Sequence, residues 1–343
     1  MRNLRKILIR LQNQAWVLTR ADIDKPLLNA TLAEDARYDE IPHIFSSIAE
    51  AYDFFESLIF RFYHELNEIA NMNMGHTTSG AVNYLLTCYE SLAKRWTEAL
   101  DRFEQSRGQL LTHKEHIGLK ILRIHQKYSQ FVRLDHGRIG RTDPSSWDKY
   151  DSIFEDIVSQ ASSVLDMTGD SIHISSMSST PSDKIIEGQL KPSFSVSMGI
   201  VAPLYDIATL CRDPSIRRRA MNVLRSASRQ EGLLNSHVSA VAAEMVIGLE
   251  ENLALGGGLN DLKDFTSVAA LALESEQQLQ QRHQQGHRSI RRSFEVPDAA
   301  RLSLAYPSFD TVNRKAFLNI GDMKGTQVKI PLPAMTAMLD MER

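Results

Sequence analysis

Asp213 followed by Pro214 fixes a helix start in the middle of this chain, and that constraint orders what surrounds it. The carboxylate can accept hydrogen bonds from the free amides of a first turn, while proline takes a position where no donor is missed. Beyond it Ile216, Ala220, Val223, Leu224 and Ala227 recur on one face of a helix. Gly232 ends that element. Ser236 then caps a second helix, on which Val238, Val241, Ala242, Met245 and Leu249 repeat the spacing until Gly256, Gly257 and Gly258 stop it. Two amphipathic helices joined by so short a link must bury their stripes against further structure.

The same periodicity predicts helices over residues 3–19, 47–70, 80–108, 113–134, 147–166, 203–211, 214–230 and 236–253. In the second of these, Ser47 and Glu50 have capping-box spacing, and Ala51, Phe54, Phe55, Leu58, Phe62, Leu66 and Ile69 line one face. Near the other end Leu302, Leu304 and Tyr306 alternate before a turn, and Ala316, Leu318 and Ile320 alternate after it, as in a β-hairpin. Residues 167–193, rich in Ser and Thr with Pro181, Gly188 and Pro192, read as a mobile loop. Residues 274–292, rich in Gln, His and Arg, could extend a helix, but Gly286 interrupts it. The expected fold is therefore mainly α, a bundle-like body with a small C-terminal β-hairpin. Residues 1–166 form its first helical part, 167–193 the loop, and 194–343 the helical hairpin with the β-hairpin.

Composition narrows the class. A 343-residue chain that is 43% hydrophobic and 24% charged can bury a sizeable core in water. Its net charge of -3 predicts no bulk attraction to nucleic acid or to an anionic membrane. Cys88 and Cys211 are too few for a disulfide framework, which points to a reducing compartment. No apolar run is long enough to span a membrane. Asn29, Ala30 and Thr31 make a glycosylation triplet that, without a secretory signal, reads as chance. Before the first acid, Asp22, the chain carries Arg2, Arg5, Lys6, Arg10 and Arg20, with Leu4, Ile7, Leu8, Leu11 and Leu18 on one face. We read this as a surface helix, with a mitochondrial presequence as the minor alternative.

Several of these motifs recur together in a known family. Pro203, Leu204 and Tyr205, the run Cys211 to Pro214, the arginine-rich Ile216 to Ala220, and Arg229, Glu231 and Gly232 stand in the order found near the C-terminus of fungal zinc-cluster transcription factors. Gln230 separates Arg229 from Glu231, and Leu234 with Asn235 stands where that family usually has Trp and Asp, Leu still filling an apolar slot and Asn still capping. Residues 4–14, 41–51 and 300–320 resemble the family's Leu-rich helix, its Ile-Pro-x-x-Phe lead-in and its terminal hairpin. The resemblance implies a helical regulatory domain in the nucleus, with the cytoplasm as the alternative. Its expected partners are other transcription regulators or co-regulators, through homo- or heterodimers. It leaves the effector, target genes and sign of regulation open, and a secondary-metabolite gene cluster is an expectation by analogy.

The family's DNA-binding module needs six cysteines around two zinc ions, and this chain has two, so DNA contact is expected to be only indirect. The resemblance also starts inside the regulatory region, so a shortened regulator, or one whose upstream exons are missing, is expected. The helical hairpin could still suggest a DNA-reading helix-turn-helix. Charge argues against it: Arg218, Arg225 and Arg229 line the first helix, whereas the second has no Lys or Arg and carries Glu244 and Glu250. The arginines are expected to solvate the outer face or to pair with acids elsewhere. Arg288, Arg291 and Arg292 are weak candidates for nuclear import.

A search for chemistry assigns no catalytic, cofactor-binding or metal-ligating residue, and no cofactor is expected. His113 and His116 share a face, but His125 falls on the opposite side of the helix, so the three are read as solvated or packed. His283 and His287 have metal-pair spacing without the glutamate of a zinc-hydrolase motif or a third ligand nearby. The Gly256 to Gly258 run follows a helix rather than a strand and lacks a dinucleotide fingerprint. Phe54, Phe55, Phe60, Phe62 and Tyr63 could line a ligand pocket, although core packing is the ordinary role at helical spacing. The reading is therefore of a non-enzymatic regulator. The alternative is an all-helical enzyme or small-molecule binder on the same scaffold.

Overall fold

The computed structural model describes residues 4, 6–12, 41–72, 78–137, 144–169, 193–195, 197–254, 297, 300–310, 313, 315–322 and 327–331. Among them the chain is mainly helical, as its periodicity predicts. Residues 6–12 are helical, followed by α1 (Ile48–Met72), α2 (Thr78–Arg107), α3 (His113–Gly137), α4 (Asp151–Thr168), α5 (Val201–Leu210), α6 (Pro214–Ser226) and α7 (Ser236–Ala254). Strands β1 (Ser193–Ser195), β2 (Arg229–Glu231) and β3 (Leu234–Asn235) form one small sheet. Strands β4 (Leu302–Asp310), β5 (Lys315–Asp322) and β6 (Gln327–Pro331) form another. No described helix is long and apolar enough to cross a membrane.

The chain divides into two compact units, one of residues 1–142 with 196–203 and the other of 143–195 with 204–343. Helix α4 thus clusters with the hairpin rather than with the helices before it.

In the first unit, α1 starts as a capped helix: the Glu50 amide donates to Ser47 Oγ at 3.1 Å. The return arm differs from a capping box, because the Glu50 carboxylate takes the Ser46 amide (2.6 Å) and hydroxyl (2.7 Å) instead. Thr112 and Glu115 make the full reciprocal box at the start of α3, with the Thr112 amide 2.8 Å from Glu115 Oε2 and the Glu115 amide 3.3 Å from Thr112 Oγ1. Ala51, Phe55, Leu58 and Phe62 are the buried stripe of α1. Val82, Leu85, Tyr89 and Trp96 of α2 and Leu122 and Ile124 of α3 are buried in the same unit, with Phe55 against Trp96 and Phe62 against Tyr89. Trp96 anchors it, 2% exposed, with its indole N–H donating to the Ala51 carbonyl at 2.9 Å. The helical residues 6–12 are strapped to α1 by Arg10, which pairs with Asp53 (3.1 Å) and with buried Glu56, and by Lys6, which also pairs with Asp53.

In the second unit, Phe154, Ile157, Ala161 and Leu165 bury one face of α4, and Gly169 ends it with φ at 70°, a left-handed conformation that glycine adopts without strain. Asp213 caps α6 as its sequence demands, accepting from the amides of Ser215 (2.8 Å) and Ile216 (2.9 Å). Helix α6 stops at Ser226, earlier than periodicity predicts, because Arg229–Glu231 leaves the helix to pair in parallel with β1 and antiparallel with β3. Gly232 makes the turn between β2 and β3 with φ at 57°. The capping role expected of Ser236 falls to Asn235, whose side chain accepts from the Val238 amide at 3.0 Å. Ser236 is buried instead: its hydroxyl donates to the Ala227 carbonyl (2.7 Å) and accepts from the Arg229 amide (3.1 Å), pinning the end of α6 to the start of α7. The terminal hairpin forms where alternation predicts it, β4 against β5, and β6 adds a third antiparallel strand.

Candidate functional site

The arginine-rich helix turns one of its cations inward and pairs the others with acids nearer the surface. Arg217 borders the apolar stripe of α6 and lies buried, its Nε donating to the Ala208 carbonyl at 3.0 Å and its Nη1 to Glu250 of α7 at 2.6 Å. Glu250 also accepts from Arg301 at 3.1 Å and from the Leu302 amide at 3.0 Å, so a single carboxylate ties α6, α7 and the start of β4 together. Burial lowers the pKa of the Arg301 guanidinium; Glu250 opposes that fall, while Arg217 and Arg212 add to it. Around this core pair, Arg225 meets Glu244 at 2.6 Å, Arg218 meets Glu251 and Arg219 meets Glu155 of α4. Arg229 lies 3.2 Å from Glu231 within β2. Both expected fates are observed: the arginines pair with acids, most of them on α7, while Arg218, Arg219 and Arg225 stay partly in solvent on the outer face.

The helix that a DNA reader would insert into a groove is thus the helix that holds the first one's cations. Helix α7 supplies Glu244, Glu250 and Glu251 to this network and presents no Lys or Arg.

The second feature is a cavity inside the first unit, partly open to solvent, with about 70 Å³ of space in which a water-sized sphere can be centred. Phe55, Phe62, Tyr89 and Trp96 form its aromatic wall, with the Phe62 and Tyr89 rings 5.2 Å apart and the Phe55 and Trp96 rings 5.1 Å apart. Ala93 and Met198 also line it. At the polar end Gln126 donates to Thr97 Oγ1 at 3.2 Å and accepts from Arg123 at 2.9 Å.

Of the five aromatic residues singled out in the sequence, Phe55, Phe62 and Tyr63 line this cavity. Phe54 packs against Phe45 at 5.8 Å, and Phe60 packs with Ile9. Sequence reasoning missed the facing wall, although Tyr89, Ala93 and Trp96 stand at one-face spacing on α2 and carry that signal.

His113 and His116 are exposed, whereas His125 is fully buried, with Nε2 3.3 Å from the Met198 carbonyl and ring contacts to Phe55 and Tyr128. Burial pushes His125 down to about 4, with the backbone carbonyl opposing. Cys211 is buried with its Sγ 3.6 Å from Asp151 Oδ1, and burial raises its thiol pKa, leaving a poor nucleophile. His283, His287, the Gly256 to Gly258 run, Arg288, Arg291, Arg292 and the Asn29 triplet lie outside the described residues. Among the described residues no group of three or more His, Cys, Asp or Glu could hold a metal ion.

Compared with known proteins, the chain matches no family model, no curated protein and no solved structure.

Proposed function

We propose that this chain is a transcription regulator: a helical regulatory domain of the fungal zinc-cluster type that works through protein contacts and touches DNA only indirectly. One observation carries the contact mode. The arginines of α6 are engaged by acids within the fold, and the helix that would have to approach a phosphate backbone is the one supplying those acids. Helix α7, with no Lys or Arg, offers no cationic face for a duplex. Partners on this reading are other regulators or a second copy of the chain, in the nucleus.

The test is cross-linking of the tagged full chain in fungal cells, with its location followed by microscopy. The regulator reading expects nuclear signal and cross-links to a second regulator or to itself. A mitochondrial location with no regulator among the cross-linked proteins would remove it.

A second reading, a small-molecule binder or an enzyme on the same scaffold, draws on the cavity beside Trp96. Its lining contains no Asp, Glu, His, Lys or Cys, which favours binding over acid–base or nucleophilic chemistry.

A further inference from the structure

The cavity between α1, α2 and α3 has three properties that together define what it would take up. No charged side chain lines it, so a charged ligand would lose its hydration without gaining a counterion. Its walls are ring faces and edges, Phe55, Phe62, Tyr89 and Trp96, which pack flat molecules better than branched ones. Its one side-chain amide, that of Gln126, is held by Arg123 and points its NH₂ at Thr97, so the polar end is fixed in place rather than free to collapse. Water is a poor occupant, because it needs two to four polar partners and the lining is mainly aromatic and aliphatic.

Size sets the scale. The 70 Å³ is about half of the roughly 150 Å³ apolar cavity that takes up benzene, so one ring fills the enclosed part with its outer atoms in the open mouth. The half-buried Ala93 stands where a larger side chain would enter that space.

We infer that this cavity is a binding site for a small uncharged aromatic molecule, a single ring carrying one hydrogen-bonding group that reaches the Thr97–Gln126 end. The inference rests on the cavity alone, so it stands or falls separately from the regulator reading.

The test uses the full chain, labelled with ¹³C at its methionine methyl groups and titrated with 4-methylphenol. The Met198 methyl resonance is expected to shift and saturate. Its anionic counterpart, 4-methylbenzoate, is expected to bind at least about tenfold more weakly. Ala93→Phe, which fills the space, is expected to abolish saturation while keeping the wild-type circular dichroism. Thr97→Val is expected to weaken 4-methylphenol about fivefold and to leave toluene unchanged. The Met198 measurement on the wild type needs no variant, so it decides the matter even if Ala93→Phe misfolds. Absence of saturation in the wild type, saturation with Met198 unmoved, or equal affinity for the benzoate would overturn the proposal.

Discussion

Arg217 and Glu250 meet at 2.6 Å with each side chain 2% exposed, and the same carboxylate holds Arg301 at 3.1 Å. Two buried cations share one anion. Glu250→Gln strands both guanidinium groups, and breaking a buried pair in this way costs about 3–5 kcal/mol. Arg217→Met costs less, because Arg301 still neutralises Glu250. Urea unfolding of both variants checks the order; an equal or reversed loss would mean that the carboxylate is not the hub.

The cap at Asp213 carries a smaller effect. Its carboxylate satisfies two first-turn amides, so Asp213→Ala is expected to lower stability by about 1 kcal/mol, while Asp213→Asn largely retains it. Thermal unfolding of the two variants measures the difference.

Helix starts and buried stripes were legible because they are local. Asp213 and Pro214, the Ala51 to Phe62 stripe and the alternation around Leu318 need only their neighbours to be read. The partners of the arginines were not, because Glu250 lies 33 residues from Arg217 and 51 from Arg301, beyond the reach of any helical period. Arg217 was not singled out in the sequence, and only its bonds to Ala208 and Glu250 show it turned inward. The early end of α6 was not legible either, because its cause is distant in sequence. A short β-pairing across Gly232, set by the distant strand β1, overrides helix propensity at Arg229. The cavity was half visible, with Phe55, Phe62 and Tyr63 on α1, while Met198 reaches it from a segment that no period connects to α1.

Opposed titrations in the first unit give a pH signature. Burial raises Glu56 from its ordinary 4.5 to about 7, against the pull of Arg10, so the folded state holds the proton longer than the unfolded chain. Stability from this group is full below pH 4.5 and falls as pH rises through 7. His125, lowered from 6.5 to about 4, acts the other way, its contribution being full above 6.5 and lost as pH falls through 4. Between 4.5 and 6.5 the two slopes oppose each other. Glu56→Gln is therefore expected to make stability rise with pH in that window, and His125→Gln to make it fall, each by up to about 3 kcal/mol. Denaturant midpoints collected across the window check both signs.

Two glycines on helices separate space from propensity. A Cβ at Gly248 of α7 would meet nothing within 4 Å, so Gly248→Ala is expected to stabilise the protein by about 1 kcal/mol. At Gly118 of α3 a Cβ would stand 2.8 Å from Ile48 Cγ2, and Gly118→Ala is expected to destabilise by about 1 kcal/mol despite the same gain in helix propensity. Opposite shifts in melting temperature are the expected readout.

The central claim is that the arginines of α6 pair with acids of the fold and that α7, without Lys or Arg, brings no cation to a duplex. Fluorescence anisotropy of a labelled duplex, titrated with the full chain from about 50 to about 200 mM salt, tests it most directly. No saturable binding is expected at micromolar protein even at the lowest salt. Saturable binding whose affinity falls by orders of magnitude across that range would contradict it.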